Sequence, residues 1–255
     1  MDSESCQLVA QWLAASRRAV AFTGAGVSTE SGIPDFRSPG GVWATSQPVY
    51  FDDFLRSTEA RYEYWRQKSV LHRDFANATP NSGHQVLARW GRIDKLKAVV
   101  TQNIDGLHQI AGSEHVLELH GTARYVACLS CQHRVEAGEM VERFLELDCP
   151  PDCPECGGFM KHATVSFGQS LPADVLQESI EFAEQADLFL AIGSSLVVHP
   201  AASLPMLAKR SGARLVIINR DSTSQDDAAD VVMNASIGDT LLAIDEHLKG
   251  FEYKR

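Results

Sequence analysis

The chain has 255 residues, of which 44% are hydrophobic and 22% charged, with a formal net charge of −10. This length allows one α/β domain with an inserted module or two small domains, and the composition excludes a disordered or fibrous protein. The acidic balance disfavours binding to nucleic acid through its phosphates, whereas a basic protein segment would be a more natural partner.

Four short apolar runs alternate with stretches of helical periodicity. Helices predicted over 7–18, 84–89, 173–185 and 201–211 precede the apolar runs at 19–23, 96–101, 188–192 and 214–218, respectively. Such continuous, partly β-branched runs are typical of strands that are buried on both faces of a parallel sheet. The alternation of helix and buried strand predicts an α/β fold with a doubly wound, Rossmann-like parallel sheet.

Two regions interrupt this alternation. Residues 40–81 carry aromatic and charged side chains at helical spacing without a buried strand, and residues 125–160 carry most of the cysteines. We expect both to fold beside the sheet as a smaller helical and zinc-binding module. The whole chain, 1–255, would then form a single domain whose Rossmann-like core comprises 1–39, 82–124 and 161–255.

A glycine loop follows the first apolar run and contains Gly24, Ala25, Gly26 and Ser28. Small residues at this place let backbone N–H groups approach a diphosphate. The third glycine of the dinucleotide fingerprint is missing, so the loop alone leaves nucleotide binding open. The sequence Gly-Ile-Pro at 32–34 stops any helix after about one turn, unlike the long helix expected in a hydride-transfer enzyme. The loop that results carries an acid, an aromatic ring and a cation, which are suited to binding a cofactor. These residues are Asp35, Phe36 and Arg37.

Other candidate site residues follow later strands, at the sheet edge where α/β folds bind their ligands. Asn103 and Asp105 come directly after the run 96–101, although they could instead cap the next helix. His120 stands alone, and a lone histidine is more often structural than functional. The last two candidate segments are Gly193, Ser194 and Ser195 after one strand, and Asn219 and Arg220 after another, where a simple turn is an equal alternative.

Four of the six cysteines form two C-x-x-C pairs, namely Cys128 with Cys131 and Cys153 with Cys156. Four thiolates satisfy tetrahedral zinc and leave no open position for water, so we predict one structural Zn²⁺ ion. Cys149 is a rival ligand for the second pair, since its spacing from Cys153 is also permissible. The two glycines after Cys156 favour the C-x-x-C pair, and Cys6 has no partner in sequence.

Neither a membrane segment nor a secretory signal is predicted. The mostly apolar stretch 188–198 is far shorter than the roughly 20 residues that span a bilayer. Residues 1–5 are acidic and lack the basic-then-apolar pattern of a signal peptide. We therefore expect a cytoplasmic protein without a membrane partner or direct contact with nucleic acid.

Several segments resemble the motifs of the sirtuin family, in sirtuin order. They are GAGVSTESGIPDFRS at 24–38, TQNIDGLH at 101–108, LHG at 119–121, the cysteine quartet and GSSLVVHP at 193–200. The combined resemblance is very specific and extends from about residue 8 to 248. It implies an NAD-dependent protein lysine deacylase, most simply a deacetylase. Such an enzyme cleaves NAD to nicotinamide and transfers the acyl group of an acylated-lysine protein or peptide to ADP-ribose.

The resemblance also implies roles for individual residues. His120 would be the general base, with Asn103 and Asp105 as further catalytic residues, and Asp105 would bond the carboxamide of nicotinamide. The acyl oxygen would attack the anomeric carbon to give an alkylimidate, and His120 would then accept a proton from a ribose hydroxyl. The implied cofactor site comprises Gly24, Ala25, Gly26, Ser28, Thr29, Asp35, Phe36, Arg37, Gln102, Asn103, Ile104, Asp105, His120, Gly193, Ser194, Ser195, Asn219, Arg220 and Ile237. The implied substrate site comprises Val165, Phe167, Gly168 and Val197.

The segment 161–169 departs from the family pattern at three positions. His162 stands where proline is usual, Ser166 where an apolar residue is usual, and Gln169 where glutamate is usual. Backbone pairing with a peptide does not depend on these side chains, but charge and acyl preferences do. The absence of a Tyr-x-x-Arg pair favours an uncharged acyl group over a dicarboxylic one.

Two alternatives to a deacylase are kept. One is a mono-ADP-ribosyltransferase or NAD hydrolase on the same fold, in which another nucleophile or water takes the ribosyl group. The other is a non-catalytic NAD-sensing module, against which the joint presence of His120, Asn103 and Asp105 argues. The protein substrate and the oligomeric state are left open by the sequence.

Overall fold

The computed structural model of the chain describes residues 3–35, 41 and 47–252. The helices are α1 (Ser3–Ala15), α2 (Phe51–Arg56), α3 (Thr58–Asn77), α4 (Ser82–Arg92), α5 (Leu107–Ile110), α6 (Ala137–Leu147), α7 (Ala173–Gln185), α8 (Leu204–Arg210) and α9 (Ile237–Glu252). The strands are β1 (Ala19–Thr23), β2 (Leu96–Thr101), β3 (Val116–Glu118), β4 (Gly121–Cys128), β5 (Arg134–Glu136), β6 (Met160–Thr164), β7 (Leu188–Ile192), β8 (Arg214–Ile218) and β9 (Val231–Met233). Short 3₁₀ helices cover Ala25–Ser31, Ala201–Ser203 and Asp226–Ala228.

The larger sheet has six strands in the order β3-β2-β1-β7-β8-β9, and the pairings along it are parallel. β1 pairs with β2 on one side and with β7 on the other, so the chain reverses its direction of travel across the sheet at β1. A crevice opens outside the carboxyl ends of the strands at such a switch point, where open α/β sheets bind ligands. The fold therefore predicts a ligand site among the loops after β1, β2, β7 and β8.

Helices cover both faces of this sheet. Ala19 and Ala21 of β1 face an apolar layer formed with α1, α4 and α9, whereas Val20 and Phe22 face a second layer formed with α7 and α8. The alternation follows from the two-residue period of a strand, and burial of both faces explains the uninterrupted apolar sequence. The five residues of β1 and the five of β7 are all buried.

The smaller sheet is antiparallel, with its three strands in the order β5-β4-β6. α3 and α6 pack beside it, and the core between them contains Trp65, Phe144 and Met160. The indole N–H of Trp65 donates to the carbonyl of Met160 at 3.2 Å, which ties α3 to β6. The helical and cysteine-bearing regions thus form one module beside the parallel sheet.

The doubly wound sheet is confirmed, and β1, β2, β7 and β8 begin and end at the residues predicted for them. Among the helices, α7 has the predicted bounds and α4 is longer than predicted. α1 runs from Ser3 to Ala15 rather than over 7–18, and the stretch 201–211 splits into a 3₁₀ turn and α8. Two edge strands, β3 and β9, were not predicted. The division into domains stays a prediction, and its boundaries at 124 and 161 lie inside β4 and β6. No helix within the described ranges is long and apolar enough to cross a membrane.

Candidate active site

A cleft of about 1620 Å³ lies between the parallel sheet and the module, and it is lined by the loops after β1, β2, β7 and β8. Most of the predicted site residues lie on its walls. From the cofactor set these are Ala25, Gly26, Thr29, Asp35, Gln102, Asn103, Ile104, His120, Gly193, Ser194, Ser195, Asn219, Arg220 and Ile237, and from the substrate set Val165, Phe167 and Gly168.

A few predicted residues are not on these walls. Gly24, Ser28 and Asp105 do not line the cleft. Gly24 and Ser28 accept hydrogen bonds from the side chain of Asn103, and Ser28 bonds Asp105. Val197 is 52% exposed and does not line the cleft. Phe36 and Arg37 lie outside the described residues.

The glycines at 24 and 26 let two loops approach each other closely. The N–H of Gly24 donates to the carbonyl of Ile192, and the N–H of Gly26 donates to the carbonyl of Gly193 at 2.9 Å. A Cβ at position 24 or 26 would lie 2.7 or 2.9 Å from the Gly193 oxygen, which is closer than real side chains come. These two N–H groups are therefore used within the protein, so contact of the glycine loop with a diphosphate stays a prediction.

His120 is held through one ring nitrogen. Its Nδ1 lies 2.9 Å from the carbonyl oxygen of Gln102. Because a carbonyl can only accept, Nδ1 carries the proton, and in the neutral ring the basic lone pair belongs to Nε2. The carbonyl of His120 in turn accepts from the N–H of Val165 at 2.8 Å, which connects the histidine to the segment after β6.

Asn103, Ser28 and Asp105 form a buried hydrogen-bond network. The amide of Asn103 donates to the carbonyl of Gly24 at 3.1 Å and to Ser28 Oγ at 3.2 Å. Ser28 Oγ donates to Asp105 Oδ2 at 2.7 Å, while Asp105 Oδ1 accepts from the N–H of Leu107 at 2.8 Å. Asp105, which precedes the N-cap residue Gly106, therefore satisfies the N–H of the first residue of α5, in line with the capping alternative; Asn103 makes no such bond. Burial raises the pKa of Asp105, and these hydrogen bonds to its charged form oppose the rise.

Gln102 presents a polar group to the cleft. Its Oε1 accepts from Ser194 Oγ at 3.1 Å, which links the loops after β2 and β7. Its buried Nε2 has no partner within the described part of the chain. A buried amide N–H without an acceptor is costly, so this atom fits a ligand that offers a hydroxyl or carbonyl oxygen. A dinucleotide ribose supplies such oxygens.

Sequence reasoning missed Glu30, which lines the cleft together with Ser236. Glu30 Oε1 accepts from Ser236 Oγ at 3.2 Å and from the N–H of Gly238 at 3.1 Å. The carboxylate thereby satisfies a donor at the N-terminus of α9 and ties that helix to the loop after β1. The sequence marks the start of α9, because Ser236 followed by Asp239 is a capping-box spacing, but it carries no signal that Glu30 lies beside it.

The three departures in 161–169 have distinct surroundings. His162 is 3% exposed and its ring lies 5.1 Å from that of Trp65, so it fills the core of the module. Burial lowers its pKa well below the usual value, and nearby Lys68 adds to the effect. The side chain of Gln169 accepts from the N–H of Ser166 at 3.2 Å, and the N–H of Gln169 donates back to the carbonyl of Ser166 at 3.0 Å. The last two substitutions thus close a tight turn beside the cleft.

The four predicted zinc ligands come together at one end of the smaller sheet. Their sulfur atoms all lie within 4.8 Å of one another, with 3.5 Å between Cys128 and Cys156 and 3.7 Å between Cys131 and Cys153. Zinc bonds of about 2.3 Å in a tetrahedron require sulfur separations of about 3.8 Å, so the quartet fits one zinc ion. Cys149 is exposed and lies outside the group, which decides between the two alternatives for the second pair.

Comparison with known proteins gives one consistent family. The family model described as "Sir2 family" matches residues 24–200. An NAD-dependent protein deacetylase of Rhodopseudomonas palustris is 49% identical over 94% of this chain and 95% of its own length. A solved Sir2 complex with a p53 peptide and NAD⁺ is 37% identical, covering 94% of this chain and 96% of its own, with a TM-score of 0.87. A Sir2 complex with deacetylated p53 peptide and 3′-O-acetyl-ADP-ribose is 36% identical over 96% of this chain and 98% of its own, with a TM-score of 0.89.

Proposed function

The chain belongs to the Sir2 family, and we propose that it removes acetyl groups from protein lysine side chains in an NAD-dependent reaction with His120 as the proton acceptor. Nicotinamide and acetyl-ADP-ribose are the accompanying products. The observation that carries the proposal is the hydrogen bond from His120 Nδ1 to the Gln102 carbonyl, at the wall of the cleft.

That hydrogen bond defines the proton chemistry available to His120. With the proton on Nδ1, the imidazole accepts a second proton at Nε2, and the carbonyl partner stabilises the cation that results. A basic ring nitrogen of this kind can accept a proton from a sugar hydroxyl. Asn103 beside it is fixed by its two hydrogen bonds and contributes a rigid polar wall.

The cleft fits NAD in size and in polar groups. Its volume of about 1620 Å³ exceeds that of most small-ligand pockets, as a dinucleotide together with an extended peptide requires. When bound, NAD supplies an electrophilic sugar carbon whose bond to nicotinamide breaks. We assign the unpaired Nε2 of Gln102 to a ribose oxygen, Arg220 and Ser195 to the adenosine half, and Asn103 and Ile104 to the nicotinamide pocket.

The acylated peptide is assigned to the segment after β6. β6 pairs only with β4 among the described strands, so its other edge can add an extended peptide strand. Val165, Phe167 and Gly168 continue from this strand along the cleft wall, and the carbonyl of Phe167 is held by the N–H of Phe51 at 2.9 Å. We propose acetyl as the preferred acyl group, in line with the deacetylases that the chain resembles.

The test is mass spectrometry of the products formed from NAD and a panel of acetyl-, propionyl- and succinyl-lysine peptides. We expect deacylated peptide, nicotinamide and acyl-ADP-ribose in equal amounts, with the acetyl peptide consumed fastest. His120→Ala should reduce turnover by about 10²- to 10⁴-fold, the usual contribution of a general base. His115→Ala is the matched control, because His115 is an exposed histidine that bonds Glu178 away from the cleft.

Two outcomes would contradict the proposal. Release of nicotinamide and ADP-ribose without consumption of any acyl peptide would identify an NAD hydrolase or an ADP-ribosyltransferase instead. Full turnover by His120→Ala would remove the assigned base. The cytoplasmic location inferred from the sequence stays a proposal that fractionation of cells would check.

A further inference from the structure

Two threonines face each other across β1 and β2 at the point where these strands end. The register pairs Thr23 with Thr101, and the Thr23 hydroxyl donates to Thr101 Oγ1 at 2.8 Å. Thr101 Oγ1 also accepts from the backbone N–H of Asn103 at 3.0 Å. Both threonines are almost completely buried, so water does not compete for these hydrogen bonds. One hydroxyl therefore ties the turn after β2 to the end of β1.

A histidine from α5 closes the other end of this chain of hydrogen bonds. His108 Nε2 lies 2.9 Å from the Thr23 hydroxyl oxygen. Since that hydroxyl gives its proton to Thr101, His108 Nε2 is the donor to Thr23. The ring packs 4.8 Å from that of His84, and burial lowers the pKa of His108 to about 3 and that of His84 to about 4. Both rings are neutral under physiological conditions.

The turn held by Thr101 carries two groups of the proposed site. The carbonyl of Gln102 accepts from His120 Nδ1, and the next residue is Asn103, whose side chain lines the cleft. The N–H of Gln102 donates to the carbonyl of Thr23 at 2.9 Å, so the turn is fastened to β1 at one further point. A displacement of this turn would move the support of His120 and the amide of Asn103 together.

We propose that the Thr101 hydroxyl, held in place by Thr23 and His108, is a positioning group that orients both His120 and Asn103. The inference deepens the proposed deacetylation and rests on the roles assigned there to these two residues. Thr101 does not line the cleft, and it acts through the backbone that follows it. Its hydroxyl, rather than its volume, is the required feature, because the hydroxyl oxygen makes the contacts to Thr23 and Asn103.

Thr101→Val and Thr101→Ser separate the hydroxyl from the volume. Valine keeps the branched shape and removes the hydroxyl, whereas serine keeps the hydroxyl and removes only a methyl group. We expect kcat/KM for deacetylation to fall about 10- to 100-fold in Thr101→Val, the range that small misplacements of catalytic groups cause, and to stay within about threefold of wild type in Thr101→Ser. The pH profile of kcat/KM should shift in the valine variant only.

A second measurement needs neither NAD nor peptide. The ¹⁵N shifts of the His120 ring report which nitrogen carries the proton, and wild type and Thr101→Ser should show the Nδ1–H form. Thr101→Val should show a mixture, because the Gln102 carbonyl is no longer held. If Thr101→Val fails to fold, Thr23→Val and Thr23→Ser repeat the comparison from the other side of the hydroxyl pair.

Two results would overturn the inference. One is a Thr101→Val protein with wild-type kcat/KM, pH profile and His120 tautomer. The other is equal loss of activity in the valine and serine variants without a change of tautomer, which would assign Thr101 a packing role. Because the tautomer is read without turnover, its result is independent of whether the chain deacetylates peptides.

Discussion

The two sheets of the molecule are stabilised in different ways. The parallel sheet lies between two apolar layers, and its central strands are buried along their whole length. The antiparallel sheet has one apolar cluster, its strand β5 alternates between exposed and half-buried residues, and four cysteines hold its end. The first region can thus be stabilised by its own side chains, whereas we expect the second to depend on the zinc ion that its four cysteines fit.

Removal of the metal should separate the two regions most clearly. Structural zinc contributes about 10–16 kcal/mol of apparent binding free energy in small zinc domains, so its loss should unfold β4, β5 and β6. Hydrogen exchange after treatment with a chelator should show loss of protection over 121–164 and retained protection over β7 and β8. Deacetylation should be lost as well, since Val165 follows this sheet and bonds His120.

Cys128→Ala provides the same test without a chelator. The variant should contain no stoichiometric zinc by elemental analysis and should show the same pattern of exchange. Equal loss of protection in both sheets would mean that the two regions unfold as one unit and do not differ in how they are stabilised.

Asp245 tests the opposite region. Its carboxylate is 3% exposed and accepts from Arg89 at 2.6 Å and from the indole N–H of Trp90 at 2.8 Å, which joins α9 to α4. Asp245→Asn removes a buried charge that pairs with Arg89 and Lys249, so we expect the free energy of unfolding to fall by about 2–4 kcal/mol. Urea unfolding monitored over the parallel sheet measures the change, while zinc content should stay constant. Glu246→Gln is the control, because Glu246 is exposed on the same helix and should change stability by less than about 1 kcal/mol.

The buried imidazole of His84 makes the stability of the parallel region depend on pH. Burial lowers the pKa of His84 to about 4 from 6.5, so the unfolded chain takes up a proton first as the pH falls. The contribution of the neutral His84 side chain to the free energy of unfolding is complete above pH 6.5. It is lost as the pH falls from 6.5 to about 4. His84→Leu removes this group without breaking a side-chain hydrogen bond of the described structure, and it should reduce the slope of unfolding free energy with pH by up to about 1.4 kcal/mol per unit.

Denaturant unfolding at a series of pH values measures this slope. The same series on the wild-type protein gives the reference slope. An unchanged slope in His84→Leu would show that this imidazole does not contribute.

Cys149 should have the smallest effect of all. Its sulfur is exposed and lies outside the four-sulfur group, so Cys149→Ser should retain one zinc ion per chain and change the unfolding free energy by less than about 0.5 kcal/mol. Elemental analysis and thermal unfolding check both values. Loss of zinc in this variant would reopen the question of which cysteines bind the metal.

The difference between the buried strands and the rest of the fold also explains which elements could be predicted from the sequence. The strands buried on both faces were predicted to the residue, because a continuous apolar run bounded by glycine or polar residues has few other solutions. The edge strands β3 and β9 have three residues each, and nothing in so short a pattern distinguishes a strand from a loop. The cysteine quartet was predictable because ligand spacing is local, although the choice against Cys149 required the folded geometry.

The site was predictable in its components and less so in their arrangement. Motif order identified His120 and Asn103 as cleft residues, and the structure brings both to the cleft. The bond of Asp105 to the start of α5 is local and was among the alternatives, but its bond to Ser28 joins segments 77 residues apart and could not be read from position in sequence. Glu30 was missed for the same reason, because its partner Ser236 lies 206 residues away.

The hydrogen bond between Val165 and the carbonyl of His120 has a consequence for how the enzyme responds to its protein substrate. A peptide that adds to the edge of β6 would lie along the segment whose Val165 N–H bonds the backbone carbonyl of His120. We therefore expect the fit of the peptide to affect the alignment of the His120 imidazole, so that poorly fitting peptides lose catalytic rate as well as affinity.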